Sequence, residues 1–259
     1  MILDEVKEAF IKDLLLKGKR VDGRDFMQYR EISVEKNFLP NDEGGAIARI
    51  GDSKVVAAVK FDLLAPFPDR PTEGVFMVNS EFSPVAHPDF ESGPPNPNSI
   101  ELARVVDRGI RSAGTIDLDE LGKTGIPGEK VMAVFVDLHI IDHSGNLIDC
   151  AALAAAAALA SAKKPKFEDG AIVRGEYEGK FQLKNTVVSS SFEKIGGKII
   201  IDATHEEEVA SSGRVTIATA DDEHVCAVQK SGAAGFSEAE LLALIDAAFE
   251  KRSELLKYV

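Results

Sequence analysis

Apolar residues recur at helical spacing from the start of the chain: Val6, Phe10 and Leu14, with Ile11 and Leu15 beside them. This predicts an amphipathic helix stopped at Gly18. A polar turn follows, Lys19-Arg20-Val21-Asp22-Gly23-Arg24. The pattern then shortens to strand-like runs at 32–34, 46–50, 55–61 and 75–82. Turn residues separate them at Asn41-Asp42-Glu43-Gly44-Gly45, at Gly51-Asp52-Ser53 and over 66–74, which predicts an antiparallel meander. Pro84, Pro88, Pro94, Pro95 and Pro97 then exclude a central strand and predict a loop.

A helix is expected from Asn98, with Asn98 as N-cap and Glu101 at N3, through ELARVVDRGIRSA. A strand over 131–141 and a tight turn at His143-Ser144-Gly145-Asn146 lead to an alanine-rich helix over 150–162. Its small side chains suit close packing on a sheet, so it is placed in the core. Lys163-Lys164-Pro165-Lys166 closes a first lobe. Further strand-like runs lie at 171–174, 186–192, 198–202, 215–220 and 225–229. They end in a helix opened by a Ser237/Glu240 capping box and continuing to about Leu256. Strands closed by a helix, twice over, predict an α+β fold of two lobes.

Composition narrows the function. The 259 residues carry 30 Lys+Arg against 43 Asp+Glu, a net charge of −13, which excludes a nonspecific nucleic-acid coat protein. A local basic stripe can still bind RNA. A chain of this length, 44% hydrophobic, builds a core without disulfide or metal staples. Cys150 and Cys226 stand at no metal-like spacing and read as buried thiols in a reducing compartment. No signal-peptide h-region opens the sequence, and no apolar run reaches the ~20 residues of a membrane span. The expectation is a soluble, cytoplasmic protein.

Four stretches could carry chemistry. On the helix after the proline loop, Arg104, Arg108 and Arg111 share a cationic face opposite Leu102, Val105, Val106 and Ile110. Arg104 and Arg108 stand about 6 Å apart along the axis, a spacing that suits adjacent phosphates of a single strand. The alternative is a solvated face paired internally, Glu101 with Arg104 and Asp107 with Arg111. Secondly, Gly145-Asn146-Leu147-Ile148-Asp149 joins a strand to a helix N-terminus, where an anion could sit. It offers no hydroxyl or cation, and Asp149 would cap the free N–H groups and repel an anion. Thirdly, Asp137, His139, Asp142 and His143 could hold a metal or serve a metal-dependent hydrolase, or be ordinary polar strand-end residues. Fourthly, Asp202 ends an apolar strand before Thr204-His205-Glu206-Glu207-Glu208 and reads as a catalytic acid or a turn residue. His87, His205 and His224 are isolated in sequence.

Several of these stretches together resemble a known family. Arg20-Val21-Asp22-Gly23-Arg24, Tyr29-Arg30-Glu31-Ile32 and Gly51-Asp52-Ser53-Lys54-Val55-Val56-Ala57 are similar to the opening of RNase PH-type phosphorolytic exoribonucleases. Gly93-Pro94-Pro95, the run from Glu101 to Arg108, and Gly145 to Asp149 resemble one branch, the non-catalytic RNase PH-like ring subunits of the archaeal exosome. The resemblance implies a ribosomal protein S5 domain 2-like first lobe over 31–167, after an N-terminal helix and lead-in over 1–30. A smaller α+β lobe would occupy 185–259. It implies as partners a catalytic RNase PH-like sister in a hexameric ring of three heterodimers, a cap of RNA-binding subunits, and the 3′ end of single-stranded RNA. It implies phosphate-dependent 3′–5′ degradation by the complex, with no cofactor, metal or membrane assigned to this chain. Active members carry Gly-Ser/Thr-Arg before the central helix, where this chain has Leu147-Ile148-Asp149. They also carry a second-lobe hairpin acid where this chain has Gly196, leaving Asp202 alone. The chain is therefore expected to have no catalytic or phosphate-binding residues of its own. Arg104 and Arg108 are assigned to RNA, and Arg111 to a salt bridge. The alternatives are an autonomous phosphorolytic RNase and a scaffold whose arginines never touch RNA. GHMP-type kinases share the first-lobe fold but need a Gly/Ser-rich phosphate loop that is absent.

Overall fold

The computed structural model describes residues 2–38, 43–126, 129–168 and 170–259. Positions 41 and 42 of the expected first turn lie outside them. Alternating apolar positions build β1 (Ile32–Lys36), β2 (Gly44–Ile50) and β3 (Ser53–Leu64), an antiparallel meander as expected. The run at 75–82, β4, does not extend that meander. It is an edge strand running parallel to a later strand, and the sheet order is β1-β2-β3, then β6 (Lys130–Asp142), then β4. Parallel neighbours need a long crossover, and α2 (Pro97–Ser112) and α3 (Leu118–Lys123) supply it, followed by the short β5 (Gly125–Ile126) beside β6. β6 takes the centre because Val131 to Val134, Val136, Leu138 and Ile140 are all buried.

The N-cap of α2 lies two residues before the expected one. The side chain of Asn96 accepts the Ser99 N–H at 2.9 Å, and Pro97 sits at N1, where its missing donor costs nothing. Glu101 is therefore no capping-box partner. The alanine-rich segment is α4 (Leu147–Ser161), in which every residue from Leu147 to Leu159 is buried. It lies against β2 and β3 on one side and β9 (Val188–Ile195) on the other. A single apolar cluster thus crosses both lobes, joining Val59, Leu138 and Leu153 to Phe192, Val215 and Leu244.

The second sheet is antiparallel in the order β10 (Lys198–Ile201), β9, β11 (Gly213–Thr219), β12 (Val225–Gly232). α6 (Glu238–Leu255) covers it, opened by the expected Ser237/Glu240 capping box. The run at 171–174 does not join this sheet. It belongs to β8 (Ala171–Lys180), which pairs with β7 (Lys163–Glu168) as a separate hairpin. Residues 205–209 are a short helix, α5 (His205–Val209), rather than a polar strand exit, and a Thr204/Glu207 capping box starts it. The N-terminal helix, α1 (Ile2–Leu16), buries Ile11 and Leu15 against Ile195, Ile200, Ala203 and Ala210 of the second lobe. Val6 and Phe10, expected on its apolar face, are exposed.

Candidate functional site

The cationic face of α2 forms as expected. Leu102, Val105, Val106 and Ile110 are buried, while Arg104, Arg108 and Arg111 are exposed. The three arginines differ in their partners. Arg111 donates to both oxygens of Asp107 at 2.8 and 2.9 Å and to the Phe76 carbonyl at 2.6 Å, so it is a salt-bridge residue. Glu101 lies 3.7 Å from Arg214 of β11 and makes no pair with Arg104. Among the described residues, Arg104 and Arg108 have no carboxylate partner, and Arg108 only donates to the neutral Gln229 at 2.9 Å. Hollows of about 450 Å³ and 400 Å³ flank the two side chains, one against β4 and one beside Gln229. Solvated cations with open space on both sides can take up phosphate oxygens without first breaking an internal pair.

The seam between the lobes is built on Asp202, which directly follows β10 with φ 50° and a fully buried side chain. Arg24 donates to its carboxylate at 2.9 Å. Arg30 donates its main-chain N–H at 2.7 Å and two guanidinium bonds at 2.9 and 2.7 Å. Asn146 adds a bond at 2.9 Å. Burial pushes the Asp202 pKa up, but Arg30 outweighs it and holds the carboxyl below its ordinary 3.8. Arg20, also buried, makes a two-bond fork to Glu207 at 3.0 and 2.6 Å and donates to the carbonyls of Ile201 and Asp202. The arginine-rich opening motif is therefore a clasp from the N-terminal lead-in to the second lobe. Both Asp202 carboxylate oxygens accept from several donors at once.

The turn before α4 is closed differently from the sequence expectation. Asp149 does not cap the helix. It turns to β9 and accepts from the Ser191 N–H at 2.9 Å, the Ser191 hydroxyl at 2.7 Å, Tyr29 Oη at 2.9 Å and Asn146 Nδ2 at 3.0 Å. Burial still pushes its pKa up to about 6. The acid at the turn is Glu208 of α5, whose Oε1 accepts the Asn146 N–H at 2.8 Å. Burial raises Glu208 to about 7. Leu147 and Ile148 are buried, and with Glu208, Arg214, Phe82 and Phe90 they line a cavity of about 210 Å³ in front of the turn. Its one guanidinium, Arg214, lies 3.8 Å from Glu193 and 3.7 Å from Glu101. Gly145 explains the close fit of the lobes: its φ is +94°, and a Cβ there would stand 2.4 Å from the Ala203 carbonyl oxygen.

The Asp137, His139 and Asp142 set is not gathered. Asp137 accepts from Asn79 at 2.9 Å, and His139 lies 3.5 Å from Glu81. Two histidines that look isolated in sequence are instead assembled: His87 and His205 pack with His143, ring centroids 4.6 to 5.3 Å apart. The Thr204-x-x-Glu207 capping box is the sequence signal that would have placed His205 and Glu208 on one helical turn. His224 remains apart, exposed and bonded to Asp221.

Glu193 gives the seam a measurable pH dependence. Burial raises its pKa from 4.5 to about 8, against the pull of Ser211, which donates at 2.6 Å. The folded state thus holds the proton more tightly than the unfolded chain. The resulting stability is complete below 4.5 and is lost as pH rises through about 8. The Tm should fall between pH 6 and pH 9, and Glu193→Gln should flatten that decline; equal slopes for the two proteins in thermal scans would contradict it.

Two lobes with this topology, joined by an arginine clasp across a buried aspartate, define a recognisable class. Residues 28–165 match the 3′ exoribonuclease family, domain 1, and residues 185–251 match domain 2 of the same family. The chain belongs to this RNase PH family of 3′ exoribonucleases. It is 43% identical to exosome complex component Rrp42 of Thermococcus gammatolerans over 95% of this chain and 91% of that protein. It is 41% identical to exosome complex component Rrp42 of Methanosarcina acetivorans, over 98% and 93%. Among solved structures, it superposes on a chain of the Archaeoglobus fulgidus exosome with RNA bound to the active site, with TM-score 0.90, 39% identity and 99% of both chains covered. It also matches a chain of an archaeal exosome core at TM-score 0.85 and 36% identity, over 99% and 98%. No helix among the described residues is long and apolar enough to cross a membrane.

Proposed function

We propose that this chain is a non-catalytic ring subunit of an exosome. It pairs with a catalytic RNase PH-like sister in a hexamer of three heterodimers, beneath RNA-binding cap subunits. It holds the 3′ end of single-stranded RNA with Arg104 and Arg108 while the sister carries out 3′–5′ phosphorolysis. The observation that carries the reading is the state of the α4 turn: two buried aliphatic side chains and the Glu208 carboxylate stand where an attacking phosphate needs hydroxyl and guanidinium donors. Removing one such donor costs about 10²–10³ in rate in other enzymes, so a turn lacking both supports no useful turnover. Asp202 cannot serve as an acid or base, because its oxygens are committed to Arg24, Arg30 and Asn146. The similarity to exosome components, one of them in an RNA-bound assembly, supports the partners. Residues 1–30, 31–167 and 185–259 would act as lead-in, first lobe and second lobe, in the cytoplasm.

The test is a phosphorolysis assay of this chain alone, the sister alone and both together. The isolated chain should release no nucleoside diphosphate from single-stranded RNA, and the pair should outperform the sister alone. Release by the isolated chain would establish the autonomous enzyme instead.

A further inference from the structure

We propose that His143, His205 and Glu208 form a binding site for one divalent transition-metal ion of the zinc type, at the seam between the lobes. The three come from two parts of the chain that are far apart in sequence. His143 lies in the turn after β6, and His205 and Glu208 lie on α5. The fold fixes them together, since the His205 main-chain N–H donates to the Ser144 carbonyl at 3.0 Å and Glu208 accepts from Asn146. One donor atom from each falls within 4.8 Å of the other two. A tetrahedral ion with bonds of about 2.1 Å needs its ligands about 3.4 Å apart, so side-chain rotation of about an ångström completes the set.

Each group is short of a partner in a way a cation would satisfy. His205 Nδ1 is buried and makes no hydrogen bond. Glu208 Oε2 accepts no hydrogen bond, and no lysine, arginine or histidine pairs with Glu208 within 4 Å, among the described residues. His143 Nδ1 receives only a long 3.3 Å bond from the Gly145 N–H, which metal uptake can replace. Two nitrogens and one oxygen favour zinc and its neighbours over magnesium, which prefers an all-oxygen octahedron. His143 and Glu208 also line the 210 Å³ cavity, which leaves room for a water as fourth ligand.

The test uses the untagged full chain, alone and in the assembled complex, titrated with Zn²⁺ and with Co²⁺ as a spectroscopic probe, without RNA. One equivalent should bind with a dissociation constant of about a micromolar or tighter, and bound Co²⁺ should give visible ligand-field bands. Excess Mg²⁺ should not displace it. His205→Ala and Glu208→Gln should each weaken Zn²⁺ binding at least about tenfold, while His139→Ala and His224→Ala, both remote from the seam, should bind as the parent does. A folded parent chain with no Co²⁺ bands overturns the proposal, even if the His205 variant fails to fold. Equal Zn²⁺ affinity in the parent and folded His205→Ala also overturns it, as does displacement by Mg²⁺. Because no RNA is present, the result stands apart from the proposed role of Arg104 and Arg108.

Discussion

Arg104→Glu combined with Arg108→Glu should abolish RNA degradation by the complex of this chain with its proposed catalytic partner. Each guanidinium–phosphate bond is worth on the order of 1.5–3 kcal/mol. Losing two corresponds to roughly 100-fold or more in affinity, before the added repulsion between glutamate and phosphate. The dependence of binding on salt should weaken as well, by a slope of about 1.4 for two single-strand phosphate contacts. Folding should be untouched. Both side chains are exposed, and among the described residues the only bond given up is that from Arg108 to Gln229. Arg111→Glu is the informative contrast. It breaks the pair with Asp107 and the bond to the Phe76 carbonyl, so it should lower the Tm more than it lowers RNA affinity. Unchanged RNA affinity in the correctly assembled double variant would leave the chain as a scaffold whose arginines do not touch the transcript.

The contrast among these arginines shows what the sequence could reveal. Amphipathicity placed all three on one face, and the Asp107–Arg111 pair at i,i+4 was legible because it is local. The freedom of Arg104 was not, because its expected partner Glu101 is drawn to Arg214, a residue of the second lobe. The same divide runs through the fold. The Ser237/Glu240 capping box and the β1–β2–β3 meander depend on neighbours in sequence, and both formed as expected. The parallel placement of β4 depends on β6, some fifty-eight positions away in register (Asn79 opposite Asp137), and no local pattern encodes it. Residues 145–149 offer no hydroxyl or cation in the sequence itself, but the acid beside the α4 turn is Glu208 rather than the expected Asp149. Asp149 has better donors in Tyr29 and Ser191 than in the free N–H groups of its own helix, and those partners arrive from the lead-in and from the second lobe, both distant in sequence.

Asp202→Ala should be the most destabilising single substitution in the seam. It removes the acceptor for Arg24, Arg30 and Asn146 and leaves two guanidinium groups, each about 10% exposed, without their common counter-charge. Breaking one side of a buried ion pair typically costs about 3–5 kcal/mol, a large share of the stability of an ordinary domain. The acidic limb of the stability curve should change in step. The Asp202 pKa is lowered on folding, so its contribution is complete above the unfolded value of 3.8 and is lost as pH falls through the folded one. The variant should therefore be less stable at neutral pH and lose less of its remaining stability on acidification, in denaturant titrations at pH 7 and pH 3. This result separates the two meanings the sequence left open for Asp202. A catalytic acid would leave the fold intact when removed and change only the chemistry, as active-site carboxylates commonly do. A clasp would take both lobes with it, since Arg30 also holds the carbonyls of Ser144 and Gly145 on the first lobe. A variant as stable as the parent at pH 7 would show that the arginines find other partners and that the seam is held by apolar packing around α4 alone.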